Sequence, residues 1–244
     1  DVSGDARINL EVLDNLTIPL QELTTKAAVK AVETDLQAAD LIVDALLGTG
    51  IKGELRGLYP DLIKLVNKLE TDVVAVDIPS GVEADTGQVR TTAVQAEMTV
   101  AFALPKRGNI LYPGAEYGGE LKVVDIGIPE QAVAAQKAGV ELITATKVRG
   151  LLPDRKANSH KGTYGKLLVV AGSPGMTGAA VLTARASLKA GAGLVTVAAP
   201  ASLNSILEAK LTEAMTYPLP DKKGVVNLAA LQEIEKLAAD RDIL

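Results

Sequence analysis

The chain has 244 residues, 48% of them hydrophobic and only six aromatic, with a formal charge of −5. Such a chain can bury one large core or two small ones, and it has neither the clustered Lys and Arg nor the stacking aromatics of a nucleic-acid surface. It has no Cys, and therefore no disulfide framework, thiolate metal site or thiol nucleophile; with no apolar run near the ~20 residues of a membrane span and no visible leader, a cytoplasmic protein without membrane partners is expected.

In chain order, "KAAVKAVETDLQAAD" (26–40) has helical spacing at Ala28, Val32, Leu36 and Ala39. "ADLIVDALLGTGIKG" (39–53) reads as a short apolar strand entering a Gly-rich loop. "LYPDLIKLVNKLE" (58–70) reads as a helix with Pro60 in its first turn and Leu62, Val66 and Leu69 on one face. Strands follow in "DVVAVDIPSG" (72–81), "AEMTVAFALP" (96–105) and "GELKVVDIGIP" (119–129). Strands alternating with helices imply a parallel sheet, and the Ala, Val, Leu and Ile content suits one.

The pattern weakens over 130–159, which is polar, Ala-rich and broken by Gly and Pro, and reads as one helix plus an interdomain connection. It then restarts. "GKLLVVAG" (165–172) is a strand, and 178–193 is a small-residue helix ending at Gly191 or Gly193. "LVTVAAP" (194–200) is a strand, 201–211 a helix, 213–220 a short strand and 227–240 a helix. The domains expected are 1–130, a connection at 131–158, and 159–244. The polar opening, without an initiator Met, and the abrupt "LAADRDIL" ending suggest an internal fragment.

Three stretches carry candidate chemistry. Gly48, Gly50 and Gly53 match G-x-G-x-x-G, but no helix opens at the third glycine, as a dinucleotide fingerprint requires. The loop is either a tight turn or a source of unhindered N–H groups at a strand's carboxyl end, where open α/β sheets bind ligands. Asp44 and Asp77 each lie at a strand end followed by a Gly-rich or Ser-Gly turn. Such carboxylates cap turns, act as general acid or base, or hold a hard cation together with a hydroxyl and carbonyls. "SHKGTYGKLLVVAGSPGMTGAA" contains the lone His160, which has no partner fixed by spacing, and a glycine-rich entry to a helix that can take an anion at its N-terminus.

"VDALLGTGIKGELRG", "VVAVDIPSGVEADTG" and "TVAFALPKRGNILYPGAEYGGELKVVDIGIP" together resemble the NAD(P)H-hydrate epimerase domain. "HKGTYGKLLVVAGSPGMTGAAVLTARASLKAGAGLVTVAAP" is similar to the opening of the ADP- or ATP-dependent NAD(P)H-hydrate dehydratase domain. In this order the two resemble bifunctional nicotinamide-nucleotide repair enzymes. The resemblance implies a Rossmann-like three-layer α/β/α domain followed by a ribokinase-like α/β domain, both incomplete. It implies potassium ligands at Asp44 and Ser80, and a loop holding the hydrated nucleotide at Gly48, Thr49, Gly50, Ile51, Lys52, Gly53 and Glu54. Asp77 becomes the substrate-contacting acid/base, while His160, Lys161 and Ala180 fall at the dehydratase substrate site.

Two family features are absent from these residues: an Asn-Asn-Gly-Gly-Asp-Gly-type loop ahead of the first domain, and a Gly-Asp segment near the end of the second. The only Gly-Asp pair is Gly4-Asp5. Neither reaction is therefore expected of this segment alone. The implied activity is isomerase and lyase, with ADP or ATP, magnesium carried by the nucleotide, potassium, a small-molecule nucleotide substrate and a homo-oligomer. The competing readings are a ribokinase-superfamily small-molecule kinase, which leaves the first half unexplained, and a nucleotide-binding module without turnover.

Overall fold

Short β-branched runs closed by Gly, Pro or Asp turns give two parallel sheets. The computed structural model describes residues 4–16, 18–136 and 138–244. They form two compact units, 1–141 and 142–244.

The first unit contains α1 (Asp5–Asn15), α2 (Lys26–Ala31), α3 (Glu33–Ala38), β1 (Ile42–Asp44), α4 (Tyr59–Val66), β2 (Val73–Val76), β3 (Met98–Phe102), α5 (Arg107–Ile110), β4 (Glu120–Val124) and α6 (Glu130–Ala135). Its strands pair in parallel in the order β1-β2-β3-β4. Every carboxyl end therefore lies on one edge. α4 places Ile63 and Val66 against Ile42, Val73 and Ala75 of the sheet, with Leu36, Leu62 and Leu69 at the margin. Pro60 stands in the first turn of α4, where its missing N–H costs no hydrogen bond. The opposite sheet face leaves Val43, Phe102 and Val124 exposed, so no third layer covers those residues.

The structure departs locally from the sequence expectation. The helix expected over 26–40 is two, meeting at Val32, which keeps right-handed helical angles (φ −77°, ψ −5°). The Thr25 hydroxyl caps the first by accepting the Ala28 N–H at 3.1 Å. Helix α1 had no expected counterpart. Its apolar residues Ile8, Leu10, Val12 and Leu13 do not form one stripe, and all are exposed.

The second unit contains α7 (Ala145–Leu151), β5 (Lys166–Val170), α8 (Thr177–Ala190), β6 (Leu194–Pro200), α9 (Asn204–Lys210), β7 (Met215–Leu219), β8 (Asp221–Lys222), β9 (Val225–Val226) and α10 (Leu231–Ala238). Its sheet order is β5-β6-β7, all parallel, with β8 and β9 a separate antiparallel pair. β6 is buried from Val195 to Pro200. Alternate residues serve opposite faces: Val195, Val197 and Ala199 pack with α8 and α9, while Ala198 packs with Leu168, Leu219 and the α10 residues Ile234 and Leu237. Helix α8 stops at Gly191, whose φ of +115° suits a residue without a Cβ. Among the described residues of 130–159 there are two helices, α6 and α7, rather than one. No described helix is long and apolar enough to cross a membrane.

Candidate functional site

The edge where β1, β2 and β3 end is built from turns stitched to one another. β1 and β2 are neighbours, with Asp44 opposite Ala75. Asp44 is 3% exposed and Ser80 fully buried. The Ser80 N–H donates to Asp44 Oδ2 at 2.8 Å, and its hydroxyl faces Asp44 Oδ1 at 2.6 Å and the Leu47 carbonyl at 3.2 Å. Ser80 Oγ in turn accepts the Leu47 N–H at 2.9 Å, and Asp44 Oδ1 accepts the Leu46 N–H at 3.3 Å. A carboxylate, a hydroxyl and a carbonyl thus meet in a water-poor corner, a donor set suited to a hard cation. Among the described residues no group of three or more His, Cys, Asp and Glu forms a metal site.

The Gly48–Glu54 loop leaves this corner and returns to the same segment further along. The Glu83 carboxylate, 9% exposed, accepts the Gly53 N–H at 2.9 Å, the Thr86 hydroxyl at 2.7 Å and Arg90 Nε at 3.3 Å. The Thr86 and Gly53 bonds, helped by Arg90, hold the Glu83 carboxyl below its ordinary value. The Thr91 hydroxyl accepts the Leu55 N–H at 3.1 Å. Between these anchors, Gly48, Thr49, Gly50, Lys52, Gly53 and Glu54 are exposed and Ile51 half-buried. A Cβ at Gly48 or Gly50 would meet nothing within 4 Å, so open space lies beside the loop.

Asp77 follows β2 directly, in the left-handed region at φ +70°. The Ile78 N–H donates to the Val76 carbonyl at 2.8 Å, closing a γ-turn about Asp77. Its carboxylate Oδ1 accepts the Phe102 N–H at 2.9 Å and also Lys106 Nζ, which donates to the Phe102 carbonyl at 3.0 Å. Asn109, 8% exposed, donates from Nδ2 to the Asp77 carbonyl at 3.2 Å and accepts the Lys106 N–H at 2.7 Å. Ala103 after β3 repeats the turn, with φ +60° and a Leu104 N–H to Phe102 carbonyl bond of 2.7 Å. A non-glycine residue held at positive φ is costly, and such positions cluster at functional sites.

Glu83, Lys106 and Asn109 escaped the sequence reading. They stand 29 to 32 residues from their partners, and only the adjacency of β1, β2 and β3 joins them. Had the strand order been anticipated, the Lys in "FALPKRG", just past a strand end beside Asp77, would have been the signal.

In the second unit, His160 and Lys161 are exposed at a 3-10 turn, Lys161–Tyr164, ahead of β5. The turn is fixed by Gly193, whose N–H donates to the Tyr164 and Gly165 carbonyls at 3.0 and 3.1 Å. Ala180, expected at the hydrated nucleotide, is instead fully buried in α8, in one cluster with Val195 and Val197. Added Cβ atoms at Gly175 and Gly178, at the start of α8, would meet nothing within 4 Å. A cavity of about 830 Å³ borders Thr163, Tyr164, Lys166 and Gly191, and its lining includes neither His160 nor Ala180.

Comparison with known proteins adds the following. A family described as YjeF-related protein N-terminus matches residues 1–108, and one described as NAD(P)H-hydrate dehydratase matches residues 167–239. The bifunctional NAD(P)H-hydrate repair enzyme Nnr of Moorella thermoacetica is 46% identical over 245 residues, covering 100% of this chain and 46% of the relative. The enzyme of the same name from Thermofilum pendens is 39% identical, covering 91% of this chain and 42% of its own length. That of Salinibacter ruber is 36% identical, covering 100% and 47%. The chain thus spans about half the length of the curated relatives it matches.

Proposed function

Because the chain belongs to the YjeF-related N-terminal family in its first half and to the NAD(P)H-hydrate dehydratase family in its second, we propose that it is part of an enzyme repairing hydrated NADH and NADPH. The first unit interconverts the R and S epimers at the hydrated ring carbon. The second returns the S form to NAD(P)H in a reaction driven by ADP or ATP. The observation that carries this reading is Asp77, a partly exposed carboxylate in a strained turn on the same sheet edge as an open glycine loop.

In the first unit the Gly48–Glu54 loop receives the nucleotide, and Asp77 moves a proton on and off the ring hydroxyl, which is general acid–base work for a single carboxylate. Asp44, Ser80 and the Leu47 carbonyl are the residues that would hold potassium, and the oxygen chemistry of that corner fits it. When bound, the ion supplies fixed positive charge beside the loop. In the second unit the turn carrying His160 and Lys161 and the glycine-lined start of α8 would face substrate and nucleotide. The nucleotide supplies the phosphoryl group that makes the hydroxyl a leaving group, and magnesium would be held through its phosphates. A cytoplasmic homo-oligomer completes the proposal.

The full-length protein should be given purified R-NADH hydrate with ADP or ATP while the two epimers and NADH are resolved chromatographically. R should be consumed faster than it epimerises unaided, and NADH should return. Consumption of S alone, with R decaying at its spontaneous rate, would remove the epimerase assignment.

A further inference from the structure

We infer that Lys106 is a positioning residue for Asp77 and that Asp77 exchanges its proton through Oδ2. The inference rests on the epimerase reading of the first unit. The two carboxylate oxygens of Asp77 are not equivalent. Oδ1 accepts both the Phe102 N–H and Lys106 Nζ. No described residue donates to Oδ2. The side chains are about equally exposed, 21% for Lys106 and 20% for Asp77, so the pair sits at the mouth of the crevice rather than under it.

Lys106 is itself held from two sides. Its ammonium also donates to the Phe102 carbonyl at 3.0 Å, and its backbone N–H is accepted by Asn109 Oδ1 at 2.7 Å. Asn109 Nδ2 reaches the Asp77 carbonyl, which closes a ring of bonds through Asp77, Lys106 and Asn109. The ring fixes rotation of the carboxylate about its terminal bond, a torsion that is otherwise broad. Its result is one occupied oxygen and one that no described residue occupies, on a side chain that stays partly exposed, the arrangement a proton-transferring carboxylate needs.

The step balances without a co-reactant. The proton leaves the ring hydroxyl for Oδ2 as the carbon–nitrogen bond at that carbon opens, and the bonding electron pair goes to nitrogen. On closure from the other face the pair returns to carbon and the proton to oxygen. Lys106 keeps its proton throughout and touches no reacting atom.

The test compares the full-length wild type with Lys106→Met and Lys106→Arg, following R to S conversion by chromatography and nucleotide-dependent loss of S in the same preparations. For Lys106→Met, kcat for epimerisation should fall about 10- to 100-fold, with KM changed less than about threefold. Dehydration of S should be unaffected, which reports a folded chain. Lys106→Arg keeps the charge but presents a planar fork instead of a single point donor, and should lose about three- to tenfold in kcat. A Lys106→Met enzyme with kcat within twofold of wild type, or with only KM changed, overturns the inference. If Lys106→Met does not fold, an unchanged kcat in Lys106→Arg overturns it equally. A wild type that does not epimerise at all overturns the epimerase reading and this inference with it, whereas an active wild type beside an unaffected Lys106→Met overturns the inference alone.

Discussion

Asp77 and Ala103 occupy the same left-handed turn at the carboxyl ends of the neighbouring strands β2 and β3, and each turn is latched to the next strand along: the Asp77 N–H donates to the Val100 carbonyl and the Ala103 N–H to the Val124 carbonyl, both at 2.8 Å. Ala103 offers no side-chain chemistry, so its strain is open to direct measurement. Ala103→Gly removes a penalty of about 1–2 kcal/mol at positive φ and adds about 0.5–1 kcal/mol of backbone entropy. Urea denaturation should show a variant between neutral and about 1.5 kcal/mol more stable than wild type. A loss of 1 kcal/mol or more, usual for such a change in regular structure, would mean the turn is unstrained.

Asp77→Asn keeps the acceptor for Phe102 and removes the carboxylate to which we assign proton exchange. Epimerisation by the full-length enzyme should drop about 10²- to 10⁴-fold, the usual worth of general acid–base catalysis. Dehydration of the S form should continue. Normal epimerisation by this variant would take the acid/base role away from Asp77.

Glu83 fixes the far end of the Gly48–Glu54 loop, which we propose receives the nucleotide, so Glu83→Gln should be felt in binding first. KM for the hydrated nucleotide should rise about three- to tenfold while kcat stays within about twofold, as steady-state kinetics would show. The folded-state value of Glu83 lies below its ordinary 4.5, so its contribution to stability is present above that pH. That contribution disappears as pH falls through the lower folded value. The difference in thermal midpoint between wild type and Glu83→Gln should therefore be largest near neutrality and shrink as pH falls below 4.5. A difference that grows on acidification would contradict the arrangement of Thr86, Gly53 and Arg90 around this carboxylate.

In the second unit, a Cβ at Gly193 would stand 1.6 Å from the Lys161 carbonyl oxygen, which is backbone and cannot step aside. Gly193→Ala should cost about 1–3 kcal/mol or more in denaturant. It should also displace the turn carrying His160 and Lys161, so dehydration should suffer more than epimerisation. Equal stability in urea, or unimpaired dehydration, would show that the turn relaxes freely.

How much of this was legible beforehand varied with range. Apolar runs such as Val73–Val76 and Leu194–Pro200 announce strands because several neighbouring residues carry the signal. Pro60 and Gly191 mark a helix start and a helix end through their own backbone restrictions. The bonds from Lys106 to Asp77 and from Glu83 to Gly53 cross about 30 residues and exist only because particular strands lie side by side. Ala180 is the opposite case, a position whose packing only the structure shows. Motif position suggested a ligand contact, but a small residue in the middle of a packed helix is first of all space for its neighbours.

The loop at the first site is pinned at Leu46 and Leu47 on one side and at Gly53 and Leu55 on the other, and no described hydrogen bond holds Gly48–Lys52 between them. It therefore behaves as a short tether between two fixed posts. Ordering a free backbone costs about 1–2 kcal/mol per residue, but chain ends fixed in advance shrink the volume the tether explores. Under the proposed function, binding then has only the middle of the tether left to settle, because both of its ends are already in place. Lengthening that span, with both posts intact, should weaken affinity gradually rather than abolish it.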